Sequence, residues 1–306
     1  MKNKILVANW KLNADYFSIK KFMSNLNSVD NVDIYLVPTY LGLLPTMNLL
    51  GNVNSISVAA QNVNNVILGD HTGSISWVEL KDYGITTVVL GHHETMKDFH
   101  DNFLDINTKV RTLLENEFKV ILCISETRVD LLKESTKEAL KVQMKQLLAN
   151  IDPFLFKDRL ILVYQPTFIS ELSERVTPKF VIETVKVIRN FLREEYNYYI
   201  GNIIPILYGG DYLSDDIVEI IKSDYIDGIM LDDSRAISAK YVSLILKVLY
   251  KSNTDSYKTF YDQNLIVTEP LELEREKSKD LFEKFDEYDI DNDSYFKEID
   301  LEDEDI

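Results

Sequence analysis

Eight short apolar runs recur through the first 250 residues, each followed by a longer amphipathic stretch, and this alternation restricts the fold more than any other feature. The runs fall at 5–8, 34–37, 57–60, 87–90, 119–123, 160–163, 205–207 and 228–231. Between them lie helical patterns such as 101–115, 135–148, 178–195 and 238–250. Thr177-Pro178 reads as a helix entry, an N-cap followed by a proline in the first turn. Repeated strand–helix units around a parallel sheet produce this pattern. Eight strands are what a closed (β/α)8 barrel needs. A doubly wound open sheet shows much the same alternation, so periodicity by itself yields only α/β.

Charge divides the chain. Residues 251–306 hold 19 Asp and Glu against 7 Lys and Arg, a net of −12, which leaves −5 of the total −17 to residues 1–250. A shift of that size marks a boundary near Tyr250. We therefore expect one barrel-sized domain, 1–250, and an acidic C-terminal extension, 251–306, partly helical or disordered. The overall charge argues against nucleic acid and anionic membranes, whose phosphates it would repel. No apolar run approaches the roughly 18–20 residues that span a bilayer. The N-terminus, Met-Lys-Asn-Lys-Ile-Leu-Val, has no apolar leader region, and the lone Cys123 permits no intrachain disulfide. The expected setting is the cytoplasm.

The ends of the apolar runs carry a series of short motifs. They are Ala8-Asn9-Trp10-Lys11-Leu12-Asn13, Ala60-Gln61-Asn62 with Thr72-Gly73, Leu90-Gly91-His92-His93-Glu94, Leu122-Cys123-Ile124-Ser125-Glu126-Thr127, Val163-Tyr164-Gln165-Pro166, Tyr208-Gly209-Gly210 and Asp227-Gly228. In this order and spacing they resemble the triosephosphate isomerase family over some 240 residues. The resemblance implies a (β/α)8 TIM barrel, with a homodimer formed through the third loop (Gln61, Asn62, Thr72, Gly73). It also implies a site that abstracts a proton beside the carbonyl of a three-carbon phosphate, using a carboxylate base and a neutral histidine. Carried over residue by residue, Asn9 and Lys11 reach substrate, His92 polarises its oxygens, and Glu94 organises the lysine and histidine neighbourhood.

Other positions depart from that pattern. Gln165 stands at the base position, and an amide does not take up and return a proton near neutral pH. The family's phosphate-binding positions read Glu171, Asp211, Asp232 and Asp233, and no other Gly-Gly pair follows Gly210. Each carboxylate about 4 Å from a phosphate charge would repel it by roughly 4 kcal/mol at an effective dielectric near 20. A millimolar ligand binds with only about −4 kcal/mol. The segment 167–175 keeps the length of the family's closing loop without its glycines. We expect the acids at the barrel mouth to pair internally with Arg175, Arg235 or Lys11 in a salt-bridge network; a hard-cation site is the alternative.

No cofactor is expected, and no metal. His71, His92, His93, His100 and Cys123 do not promise a convergent zinc set. In the extension, Asp289, Asp291, Asp293 and Asp300 have the spacing of an EF-hand calcium loop, but Ser294 replaces the turn glycine and Asp300 the bidentate glutamate. A solvated acidic tail, able to dock on a basic protein partner, is the plainer reading.

Three functions follow from these residues. The first is a homologue that has lost isomerase activity and serves binding, regulation or assembly. The second is a working triosephosphate isomerase that interconverts dihydroxyacetone phosphate and glyceraldehyde 3-phosphate in glycolysis. The third is a different enzyme on the same scaffold, using His92, Lys11 and the acidic mouth.

Overall fold

The structure is a computed structural model, described here for residues 3–26, 30–51, 53, 55–166, 176–210 and 216–252. Eight parallel strands run in the order β3-β2-β1-β8-β7-β6-β5-β4. They are β1 (Lys4–Asn9), β2 (Val32–Val37), β3 (Ile56–Val58), β4 (Thr87–Leu90), β5 (Lys119–Ile124), β6 (Leu160–Tyr164), β7 (Ile206–Tyr208) and β8 (Gly228–Leu231). The seam between β3 and β4 is joined by one bridge, Ala60 to Val88, through the bonds Ala60 N to Thr87 O and Val89 N to Ala60 O, each 2.9 Å. The ring is thereby closed into a (β/α)8 barrel.

The barrel closes tightly at β1 and β8. A Cβ on Gly228 would sit 1.9 Å from the carbonyl oxygen of Ile5, so only glycine lets these two backbones approach. Along each strand the side chains alternate. Ile5, Val7, Val37, Val89, Cys123 and Met230 belong to one apolar cluster that fills the barrel, while Leu6, Ala8, Leu90 and Leu122 are buried outside it against the helices. That period of two also governs the strand ends. Asn9, Lys11, Gln165 and Asp232 continue the inward series 5-7, 161-163 and 230, and so arrive at the mouth.

Local chemistry fixes the helices around this sheet. Thr177 accepts the Phe180 N–H at 3.3 Å and Pro178 opens the helix Pro178–Glu195, as the Thr-Pro pair predicts. Asn102 and Asp105 form a reciprocal capping box at Phe103–Glu115. Val181, Val185, Ile188 and Leu192 form the buried stripe of the first of these helices. Arg189, on the same face, holds the carbonyls of Gly201 (2.9 Å), Ile204 (3.0 Å) and Tyr225 (3.1 Å) and the carboxylate of Asp227 (2.8 Å). Asp227 in turn accepts the Ile206 N–H at 2.8 Å, so one buried guanidinium ties the lead-in to β8 to the start of β7. No helix among the described residues is long and apolar enough to cross a membrane.

Candidate active site

Lys11 follows β1 with a left-handed backbone, φ 49°, a conformation that costs a lysine about 1–3 kcal/mol and persists only where neighbours enforce it. The neighbours are visible. Asn9 Oδ1 accepts the Lys11 N–H at 3.2 Å, and the Gln61 amide donates to the Lys11 carbonyl at 3.0 Å and to that of Val37 at 3.3 Å. Gln61, expected at the root of a dimer-forming loop, thus also sets the aim of the lysine. The Lys11 ammonium reaches Glu94 Oε1 at 2.8 Å and Asp232 Oδ1 at 3.0 Å.

His92 comes to the mouth by a break in the alternation. Gly91 has φ 72°, and a Cβ there would lie 2.7 Å from the Cys123 carbonyl oxygen, so the turn that re-aims the chain requires glycine. His92 then caps the short helix His93–Asp98, its Nδ1 accepting the Glu94 N–H at 3.3 Å. A neutral ring in that arrangement carries its proton on Nε2. Nε2 lies 2.7 Å from Asp232 Oδ2.

Asp232 is the centre of the cluster. Its carboxylate takes the Lys11 ammonium on one oxygen and, on the other, both His92 and the Gln165 amide nitrogen. That nitrogen is 3.3 Å from His92 Nε2. Burial works to raise the Asp232 carboxyl, but the hydrogen bond with His92 and the attraction of His92 and Lys11 outweigh it and hold it below the ordinary range. Lys11 shows the mirror effect: burial lowers it, and Asp232 with Glu94 raises it further, above an ordinary lysine. Both groups are therefore charged at neutral pH. His93 is pushed down by burial and by its neighbour His92.

The internal network expected at the mouth is present for two acids. Asp232 pairs with Lys11. Asp233 instead caps the turn Ser234–Ile237 and receives Arg235 through Nε at 2.7 Å and a terminal nitrogen at 2.5 Å. Glu171, Asp211 and Arg175, with the rest of 167–175, and the whole extension including Asp289, Asp291, Asp293 and Asp300, lie outside the described residues. Beneath Gln165, the Tyr164 hydroxyl donates to the buried Glu126 at 2.8 Å. Sequence reasoning gave Glu126 no role, although it stands in the motif after β5.

What this arrangement can do chemically is limited. His92 has both ring nitrogens engaged, one by a backbone N–H and one by Asp232, so neither is free to polarise a substrate while Asp232 stays in place. Gln165 cannot take up and return a proton near neutral pH. The donors that remain converge on a carboxylate the chain itself provides.

Comparison with known proteins gives one consistent answer. The family described as "Triosephosphate isomerase" matches residues 4–248. A triosephosphate isomerase of Mycoplasmoides gallisepticum is 33% identical over 250 residues, covering 79% of this chain and 97% of that protein. One from Mycoplasma pneumoniae is 30% identical over 234 residues, 76% of this chain and 93% of that protein. One from Thermodesulfovibrio yellowstonii is 29% identical over 249 residues, 80% and 99% respectively.

Proposed function

The chain belongs to the triosephosphate isomerase family, and we propose that within it this member no longer isomerises triose phosphates and acts as a binding, regulatory or structural protein. One observation carries the reading: the Asp232 carboxylate sits against Lys11, His92 and Gln165, where the oxygens of a substrate would need those same partners. An anionic substrate must displace it and then remain beside it. At 4 Å and an effective dielectric near 20, each unit of phosphate charge meets roughly 4 kcal/mol of repulsion from that carboxylate. The missing base removes about 10²–10⁴-fold in rate on its own. The two losses act at different stages, one on binding and one on proton transfer.

The alternative is a working isomerase. It is supported by the retained Asn9, Lys11, His92 and Glu94, which meet at one mouth, and by the names of the relatives. Assays of the unmodified chain, Gln165→Glu, Asp232→Gly and the double variant with glyceraldehyde 3-phosphate separate the two. Activity that rises most in the double variant supports the silent reading; turnover of about 10 s⁻¹ or more in the unmodified chain rejects it.

The same reading includes a homodimer in the cytoplasm. The third loop closes on itself through Asn64 and Ser76 and leaves Leu68 83% exposed at its tip. Leu12 (89%) and Leu41 (92%) are exposed on segments that Gln61 and Tyr40 tie to the root of that loop. Exposed apolar side chains on these segments suit burial against a second copy. A basic protein partner for the acidic extension is a further part of the proposal, supported by its charge alone.

A further inference from the structure

Donor atoms of His92, His93 and Asp232 lie within 4.8 Å of one another. The two imidazoles are stacked, with centroids 4.5 Å apart and 29° between their planes. Two more facts set this cluster apart from an ordinary salt bridge. Gln165, only 4% exposed, has a buried Oε1 with no hydrogen-bond partner, and His93 has a buried Nδ1 in the same condition. Leaving a buried polar atom unpaired costs about 1–3 kcal/mol, and here two of them flank one carboxylate. An amide oxygen, imidazole lone pairs and a carboxylate have one thing in common. All are acceptors, and acceptors of this kind bind a transition cation.

We propose that His92 Nε2, a ring nitrogen of His93, the Asp232 carboxylate and the Gln165 amide oxygen form a binding site for a divalent transition cation of the zinc type. Two imidazoles and two oxygens suit zinc or cobalt, whereas magnesium and calcium prefer oxygen alone. Tetrahedral ligands about 2.0–2.2 Å from zinc stand roughly 3.4 Å from one another. The Gln165 amide already places one end 3.3 Å from His92 Nε2, and a half-turn of that amide exchanges its nitrogen for its oxygen there. The His92–Asp232 contact, now 2.7 Å, opens to admit the ion between them.

Charge and protons balance within the cluster. Lys11 is shared between Glu94 at 2.8 Å and Asp232 at 3.0 Å, so when the cation takes Asp232 the lysine keeps Glu94. Metal on Nε2 of a neutral His92 ring moves that ring proton to Nδ1 and releases none. Nδ1 then gives up its 3.3 Å contact with the Glu94 N–H and faces Glu94 Oε2, now 3.7 Å away. A carboxylate behind a metal-bound histidine is the usual orienting partner. The proposal stands whether or not the chain turns over triose phosphates, because its readout is binding.

The test uses the full chain, stripped with a chelator and titrated with Co²⁺ and then Zn²⁺. We expect one Co²⁺ per chain with the intense visible bands of tetrahedral nitrogen-containing coordination, displaced by micromolar Zn²⁺. Octahedral cobalt held by carboxylates alone, as on the acidic extension, absorbs far more weakly. His93→Ala should weaken Zn²⁺ binding at least tenfold, Asp232→Asn likewise, and His100→Ala not at all. Absence of the tetrahedral spectrum in the unmodified chain at millimolar Co²⁺ overturns the proposal. So does the same spectrum and affinity in either ligand variant; should His93→Ala fail to fold, the unmodified chain and Asp232→Asn decide.

Discussion

Asp232 Oδ2 and His92 Nε2 lie 2.7 Å apart, although 139 residues separate them in the chain and they follow strands on opposite parts of the ring. The pair brings a negative charge into the mouth of the barrel and is held there by Lys11 on the other oxygen.

Replacing Asp232 by Asn removes the charge that Lys11 and His92 share. Lys11 keeps Glu94, so the expected loss is about 1–3 kcal/mol and not the larger cost of a fully orphaned buried ion. The pH dependence has a definite sign. The native carboxyl lies below its ordinary value of 3.8, so between the two values the unfolded chain binds more protons and stability rises with pH. The advantage of the unmodified chain over Asp232→Asn should be constant from pH 6 to 8 (roughly two units or more above the ordinary value). It should shrink through that value and vanish below the native one. Urea denaturation of both chains at a series of pH values checks this; a difference that grows on acidification would contradict it.

Arg189 should be the costlier residue to lose. Arg189→Met takes the guanidinium away from Asp227 and from three carbonyls, for an expected loss of about 3–5 kcal/mol. Arg189→Lys should restore little, because one ammonium cannot reproduce a fork that reaches four acceptors. The midpoint of urea unfolding reads both.

Gly91→Ala places a Cβ in a left-handed turn and 2.7 Å from the Cys123 carbonyl oxygen. The backbone term alone is about 1–2 kcal/mol. The sharper expectation is local: the His92 imidazole NMR signals should move, while those of His71 and His100 stay. Unchanged His92 signals would mean that the turn does not set its position.

Leu68→Asp should convert a dimer into a monomer. Sedimentation of the unmodified chain is expected at about twice 35.5 kDa, and that of the variant near 35.5 kDa. A monomer mass for the unmodified chain removes the dimer from the account.

Much of the architecture was legible because strands have a period of two and turns need particular residues. The expected strands 87–90 and 228–231 are found with those bounds. The one expected at 205–207 is found at Ile206–Tyr208, since proline has no N–H for the ladder, though the Pro205 carbonyl still accepts the Leu162 N–H at 2.9 Å. That expected at 57–60 ends early, at Val58, because Ala60 meets β4 through a single bridge. The motifs placed Asn9, Lys11, His92, Glu94 and Gln165 at one mouth. They did not say which cation each acid would choose. Lys11 and Arg235 were both candidates, and the choice is made by geometry: Asp232 keeps the inward parity of Met230, while Asp233 turns out to cap the next helix. Nor does a local pattern reveal an unpartnered amide oxygen, which depends on what three other strand ends bring to it.

The most direct test is calorimetric titration of the unmodified chain with dihydroxyacetone phosphate, run beside Asp232→Gly. With the Asp232 carboxylate seated on Lys11 and His92, the unmodified chain should show no binding below about 10 mM, weaker than the roughly −4 kcal/mol of a millimolar complex. Removing the carboxylate should bring a measurable affinity. Micromolar binding by the unmodified chain would contradict the account.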